Sequence, residues 1–204
     1  MILSPVLAEL SWLEHAFGTI AAPLSQEHDV SLKQIHSDIV LLAGHSAGCA
    51  GEGDGLLTNL AGRAISIRTA DCYPILIADV KTRSVAAIHA GWRGTAARIV
   101  VRAIEKMHRE FGAQPSDLRA AVGPGIGECC YEVGAEVAAR FGKSGRSQIN
   151  LALENRRQLI EVGVSERHIS VEGSCTYCNA DAFHSFRRQG DAAGRMISFI
   201  KRLD

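Results

Sequence analysis

The sequence predicts an α/β fold: one layered domain over residues 1–204 in which mixed β-sheets are flanked by helices. Three observations lead to it. Short apolar runs of strand character and longer stretches of helical periodicity alternate irregularly along the chain. Adjacent strand-like runs, such as 74–80 and 84–88, lie too close together for helical crossovers, which argues against a doubly wound parallel sheet. No internal repeat, low-complexity tract or linker divides the chain.

Composition narrows the function classes. The chain has 204 residues, 47% of them hydrophobic, enough for a globular core. Lys plus Arg equals Asp plus Glu, 22 of each, so no overall field recruits nucleic acid or an anionic membrane, and any anionic ligand must be met by local cations. No window reaches the ~18 consecutive apolar residues of a membrane span, and no basic leader precedes an apolar run. The expectation is a soluble, cytoplasmic protein, a monomer or small homo-oligomer, with no nucleic-acid or membrane partner. Six cysteines, Cys49, Cys72, Cys129, Cys130, Cys175 and Cys178, then read as reduced thiols, some available to a metal.

The elements follow in order. Residues 13–17 read as a short strand and 20–29 as a loop. A strand from Ser31 carries Leu32, Lys33, Gln34 and Ile35 to His36, and 38–43 continue as another. Residues 44–55 hold five glycines in twelve positions and read as a surface loop. They carry no Walker lysine and no strand-to-helix GxGxxG spacing. Residues 64–69 alternate Ile65 and Ile67 with polar neighbours and run into Asp71 and Cys72. The apolar runs 74–80 and 84–88 are then two buried strands.

Thr95 is placed to cap a helix with Ala97, Val100, Val101, Ile104, Met107 and Phe111 on one face, stopped by Gly112 and Pro115. A strand over 119–123 leads to a glycine-rich turn and a helical pattern at Val133, Val137, Ala138 and Phe141. Asn150 caps a helix over 151–162 that Gly163 ends. Residues 168–171 and 195–201 close the chain as strands.

Chemistry concentrates where these strands end. Cys72 stands just before one buried strand, His89 just after the next, and His36 at a third break. Two imidazoles and a thiolate are a good donor set for zinc, with a fourth position left open, and copper accepts the same donors. The same Cys72 and His89 could instead form a nucleophile–base dyad, or all three could pack as core residues. Asp71 is the carboxylate nearest in sequence, placed for proton transfer, for support of a ligand or for capping a turn. Arg93, Arg187 and Arg188 offer guanidinium forks for phosphate, or surface ion pairs. Trp92 offers a face to a base, or packing. Lys33 and Gln34, beside His36, join the substrate-binding candidates. Cys175 and Cys178 form a CxxC, but adjacent cysteines such as Cys129 and Cys130 rarely supply the geometry of a second such pair, so these four read as buried thiols. Glu132 reads as a helix-start carboxylate.

Seven stretches, KQIH, DGLLT, TADCYPILIAD, AAIHAGWRG, GPGIGECCYEVG, CTYCNADAFHSFRR and GRMISFI, resemble in sequence and order the motifs of the laccase-domain family. That family is also called polyphenol oxidase, purine nucleoside phosphorylase with adenosine deaminase activity, and peptidoglycan editing factor. The resemblance runs from about Lys33 to Ile200. It implies a metal site at His36, Cys72 and His89, and a fold shared with the cytotoxic necrotizing factor deamidases, whose Cys/His pair is a nucleophilic dyad. It also implies phosphorolysis of adenosine, inosine and methylthioadenosine, with deamination of adenosine, so that a nucleoside and phosphate are the expected partners and zinc, or copper, the cofactor.

The resemblance weakens before Lys33. Where the family has HGFFTRxGGVS this chain has HAFGTIAAPLS, with Ile20 in the arginine's place. Residues 26–32 alone bridge to Lys33, and Ser37 replaces a glycine. An altered substrate is one expectation, and four functions stand: the nucleoside enzyme, a Cys72–His89 hydrolase editing peptidoglycan precursors, a copper-dependent phenol oxidase, and a metal-binding protein without turnover.

Overall fold

The computed structural model describes residues 1–25 and 29–204. A short helix, α1 (Pro5–Ala8), precedes a run of strands: β1 (Leu13–Phe17), β2 (Val30–Lys33), β3 (Val40–Leu42), β4 (Gly48–Glu52), β5 (Gly55–Thr58), β6 (Ala64–Thr69), β7 (Tyr73–Asp79) and β8 (Val85–Ala90). Then come α2 (Trp92–Ala96), α3 (Ile99–Phe111), β9 (Leu118–Val122), β10 (Glu132–Val133), α4 (Ala135–Ala139), β11 (Ser147–Gln148), α5 (Leu151–Glu161), β12 (Ile169–Val171), α6 (Phe186–Gln189) and β13 (Met196–Arg202).

Two mixed sheets result. One has the order β1-β13-β6-β2-β4 and the other β12-β9-β7-β8-β5-β3, with parallel and antiparallel pairs in each. The expected mixed α/β domain is therefore what forms.

Strands β7 and β8 lie at the centre of the second sheet, and period-2 alternation explains their unbroken apolar runs. Ile75 and Ile77 of β7 join Ile88 of β8 in a cluster with Ile99, Ala103 and Met107 of α3. The intervening Leu76 and Ala78 join Val85 and Ala87 in a second cluster with Phe17, Ile65, Ile67 and Ile200 of the other sheet. Both faces are buried, and residues 74–78 and 85–88 carry no polar side chain. Leu76 is fully buried between the sheets. Leu76→Ala is expected to lower unfolding free energy by about 2–5 kcal/mol, through lost burial and the cavity left behind, read from the urea midpoint.

Local signals place several boundaries correctly. Gly112 ends α3 in the left-handed region at φ 75, and the Asn150 side chain accepts from the Leu153 N–H at 2.9 Å to cap α5. Others differ. Thr95 lies inside α2, fully buried, where its hydroxyl accepts from Asn155 Nδ2 at 3.0 Å and its carbonyl from Gln158 Nε2 at 2.9 Å. The helix after it begins at Ile99, and Arg98 just before it, with a φ of 62, breaks α2 from α3, so tertiary contacts with α5 take Thr95 out of its capping role.

The stretch 133–141 splits into the end of β10 and the five-residue α4. Residues 44–55 are not all loop. Gly48 to Glu52 form β4 as an edge strand parallel to β2, with φ of 113 at Gly48 and 136 at Gly51. Glycine density marks an irregular edge there rather than an absence of strand. Of the bridging segment 26–32, residues 26–28 lie outside the described residues.

Candidate metal centre and substrate cavity

The antiparallel register of β7 and β8 pairs Tyr73 with Ala90 and Pro74 with His89, which brings Cys72 opposite Gly91 at one end of the sheet. His36, just beyond β2, holds a left-handed φ of 59, a conformation histidine adopts more readily than most residues. The candidate ligand atoms of His36, Cys72 and His89 all lie within 4.8 Å of one another. The two imidazole rings stand edge to face, with centroids 4.9 Å apart. Sequence-distant residues thus converge as the metal reading requires.

Gly91 makes room for them. A Cβ there would fall 2.8 Å from Cys72 Sγ and 3.4 Å from His36 Cδ2. Gly91→Ala is expected to weaken metal binding by about 10- to 100-fold, as disturbing the surroundings of metal ligands commonly does. Competition with a chromophoric chelator measures it.

The carboxylate that serves this centre is Asp54, which sequence reasoning passed over inside the glycine-rich stretch. It is fully buried. Its Oδ1 meets His89 Nδ1 at 2.7 Å and accepts from the His36 N–H at 3.0 Å. Its Oδ2 accepts from the Ile35 N–H at 3.3 Å, the Ser37 N–H at 2.6 Å and the Ser37 hydroxyl at 2.7 Å. The Asp54 carbonyl also accepts from the His89 N–H at 2.7 Å. One side chain therefore sets both the His36 turn and the His89 ring. Ser37 adds a donor to Asp54 that a glycine would lack. With Nδ1 committed to Asp54, Nε2 is the nitrogen left to face Cys72, the arrangement that supporting carboxylates give metal-binding histidines.

Electrostatics follow from this packing. Burial opposes the Asp54 charge, yet hydrogen bonds from His89 and Ser37 overcome it and hold the carboxyl at about 2. Burial would also raise the Cys72 thiol, but His36 and His89 bring it down to about 6. His89 is raised to about 9, because the hydrogen bonds to Asp54 and Cys72 outweigh desolvation. With no cation present these shifts make His89 and Cys72 an imidazolium–thiolate pair at neutral pH, and a metal binding there would displace the His89 Nε2 proton.

The centre opens into a cavity of about 770 Å³, a volume suited to a small molecule. Lys33, Gln34, Asp71, Trp92, Arg93 and Arg187 all line it. Lys33 pairs with Glu52 at 2.7 Å, and Gln34 exchanges two hydrogen bonds with the Arg68 backbone. The Arg93 guanidinium stacks 4.4 Å from the Trp92 ring, and that of Arg187 lies 5.3 Å from Tyr131. Asp71 borders the cavity with both carboxylate oxygens engaged, accepting from the Thr176 hydroxyl and the Arg187 N–H at 2.7 Å each. It ties the segment before α6 to the site.

Arg188 is a correction. It does not line the cavity, because its guanidinium donates to the carbonyls of Thr176, Tyr177 and Phe183 and so folds its own loop. Tyr131, Phe186, Arg68 and Arg195 line the cavity without having been singled out. Tyr131 and Phe186 stand inside the CCYEVG and FHSFRR motifs, and that was their available signal.

The cysteines bring a second correction. Cys129, Cys130, Cys175 and Cys178 come together with their sulfurs all within 4.8 Å, and only Cys175 is buried. A turn places the adjacent pair beside the CxxC, a geometry that spacing alone did not disclose.

Comparison with known proteins decides the family. The model of the family described as multi-copper polyphenol oxidoreductase laccase matches residues 13–203. The chain belongs to this family. A relative from Deinococcus radiodurans, named purine nucleoside phosphorylase, is 41% identical over 96% of this chain and 77% of its own length. Another of that name, from Bacteroides thetaiotaomicron, is 39% identical over 72% of this chain. A protein of an unknown prokaryotic organism, named adenosine deaminase RL5, is 38% identical over 73% of this chain. The matches span 60% and 62% of these last two relatives. The crystal structure of YlmD from Geobacillus stearothermophilus superposes with a TM-score of 0.83 at 33% identity, covering 88% of this chain and 75% of that one. Among the described residues, no helix is long and apolar enough to cross a membrane.

Proposed function

We propose that this laccase-family chain is a zinc-dependent purine nucleoside phosphorylase that also deaminates adenosine, acting on adenosine, inosine and methylthioadenosine. The observation that carries the reading is the opening of the His36–Cys72–His89 trio into a cavity walled by both aromatic rings and guanidinium groups. The relatives' names supply the substrate class.

Zinc, when bound by the trio, supplies Lewis acidity at the cavity floor. The chain's own residues do the rest. Asp54 keeps the His89 proton on Nδ1 and so presents Nε2 as a donor. Trp92, Tyr131 and Phe186 offer faces to a purine. Arg93 and Arg187 take phosphate oxygens, answering the need for local cations in a chain with equal numbers of acidic and basic residues.

The test uses metal-replete protein with inosine and adenosine, each with and without phosphate. Hypoxanthine released from inosine only with phosphate, and inosine formed from adenosine without it, are expected. Full activity after metal removal, or no turnover of either nucleoside, refutes the reading; intact metal binding without turnover points to a binding protein.

One observation favours a second reading, a cysteine hydrolase editing peptidoglycan precursors: the Cys72 thiol, held at about 6, sits between two histidines. In metal-stripped protein, iodoacetamide is expected to alkylate Cys72 at a steady rate down to about pH 6 and then to slow, because the thiolate is the nucleophile. Activity indifferent to chelators and abolished by that alkylation marks the hydrolase; protection of Cys72 by added zinc marks the metal enzyme. Copper fits the trio's donors. Phenol oxidation coupled to full oxygen reduction calls for several coppers, and the other candidate group among the described residues is made of thiols alone.

A further inference from the structure

We propose that Cys129, Cys130, Cys175 and Cys178 bind one structural zinc ion that staples together two loops of the cavity wall. The four sulfurs lie within 4.8 Å of one another, with Cys130 and Cys178 3.3 Å apart and Cys129 and Cys178 3.8 Å apart. A zinc tetrathiolate with bonds of about 2.3 Å has sulfur–sulfur edges of about 3.8 Å, so small side-chain adjustments complete the tetrahedron. No disulfide joins these cysteines; one would bring two sulfurs to about 2.05 Å.

The surroundings fit ligands better than packing. Cysteine used as a small apolar residue is buried, whereas Cys129 and Cys178 are exposed and Cys130 is partly so. The buried member, Cys175, accepts the Gly127 N–H at 3.1 Å, the kind of contact that steadies a metal thiolate. Asn179 closes the CxxC turn, with its N–H and side-chain amide both donating to the Cys175 carbonyl, at 3.1 and 2.8 Å. Gly127 lets the loops meet, since a Cβ there would lie 3.1 Å from Cys175 Cβ and 3.2 Å from Cys129 Sγ. Adjacent cysteines are an uncommon ligand pair, yet here the turn that carries them meets the CxxC and completes a closed set of four thiols, without a position for substrate. Binding displaces the four thiol protons to solvent, leaves four thiolates on one divalent ion, and needs no oxidant or reductant.

The location gives the ion its role. One stapled loop carries Ile126 and Tyr131, and the other leads through Thr176, which donates to Asp71, to Phe186 and Arg187. The zinc would hold these cavity walls in register from outside the reaction site.

The experiment uses full-length protein grown with zinc, as wild type and as Cys72→Ala, which disables the first centre. Zinc is counted by elemental analysis, and the variant's ligand shell is read by X-ray absorption. One zinc per chain retained in Cys72→Ala, with a shell of sulfur alone, supports the site, whether wild type holds one ion or two. Adding Cys178→Ser is expected to lower retained zinc at least tenfold against a chelator. Folded Cys72→Ala protein without zinc, a shell containing nitrogen, iron in place of zinc, or a disulfide among these cysteines in freshly purified protein would each overturn it. Cobalt substitution of Cys72→Ala gives a readout that needs no further variant: intense tetrahedral visible bands with thiolate charge transfer support the site, and weak octahedral bands refute it.

Discussion

Cys72→Ala is expected to strip the metal from the His36–His89 pair and to lower both phosphorolysis and deamination by about 1,000-fold or more. A Lewis acid contributes several kcal/mol to the transition state, and each 1.36 kcal/mol is a factor of ten. The thiolate is the one anionic donor of the trio, so its loss leaves two imidazoles and no anionic ligand at the site. The side chain is only partly buried, and the fold is expected to survive, as circular dichroism and an unchanged urea midpoint would show. Steady-state rates on inosine and adenosine, set beside zinc content, make the measurement. A folded, metal-free variant that retains wild-type rates contradicts the assignment.

Asp54→Asn is expected to have the second large effect, on two quantities at once. The new amide nitrogen meets backbone N–H groups of Ile35, His36 or Ser37 that now donate to a carboxylate, so donors face donors. Losing charge-assisted hydrogen bonds at a fully buried site is expected to cost about 2–3 kcal/mol of stability. Releasing the His89 ring is expected to weaken zinc binding by about 10- to 100-fold. The pH dependence should change with it. The Asp54 pKa is depressed from 3.8 to about 2, so in wild type its contribution is complete above 3.8 and is lost as pH falls through about 2. The variant lacks that component, and the difference between the two urea-denaturation series should shrink toward acid pH. An equal difference at pH 2 and pH 6 would contradict this account.

His36 and Asp71 show how the site sits in the backbone. Both are non-glycine residues with positive φ, 59 and 85, and both border the cavity. Conformations of this kind are held only where the surroundings over-determine them. At His36 the holding group is the Asp54 carboxylate. At Asp71 it is the pair of hydrogen bonds to Thr176 and Arg187, together with its carbonyl accepting from the Ile126 N–H at 2.8 Å.

Much of the architecture was legible in residue order. Residues 74–78 of β7 and 85–88 of β8 are apolar throughout because both their faces are buried, and such runs declare themselves without knowledge of their partners. Gly112 and Asn150 mark helix ends because a left-handed stop and a side-chain cap act within a few residues. The candidate metal trio could be named because each member stands near a strand end inside a distinctive motif. Thr95 misled because its capping chemistry is local, while the contacts that claimed its hydroxyl and carbonyl come from α5. Arg188 misled because a guanidinium suited to phosphate is equally suited to three backbone carbonyls.

The sequence by itself determined the mixed α/β class, the central strands, and the identity of His36, Cys72 and His89 as the residues to watch. The tertiary structure alone decided that Asp54 rather than Asp71 supports them, and that Tyr131 and Phe186 join Trp92 around one cavity. It alone decided that two separated cysteine pairs close on each other. The physical reason is the same throughout. Strand and helix preferences are written in neighbouring residues, whereas a carboxylate or a thiol takes its role from what burial sets within about 3–4 Å of it. Across a chain fold that joins Asp54 to His89 and Cys129 to Cys178, only the packed sheets and their loops supply those distances.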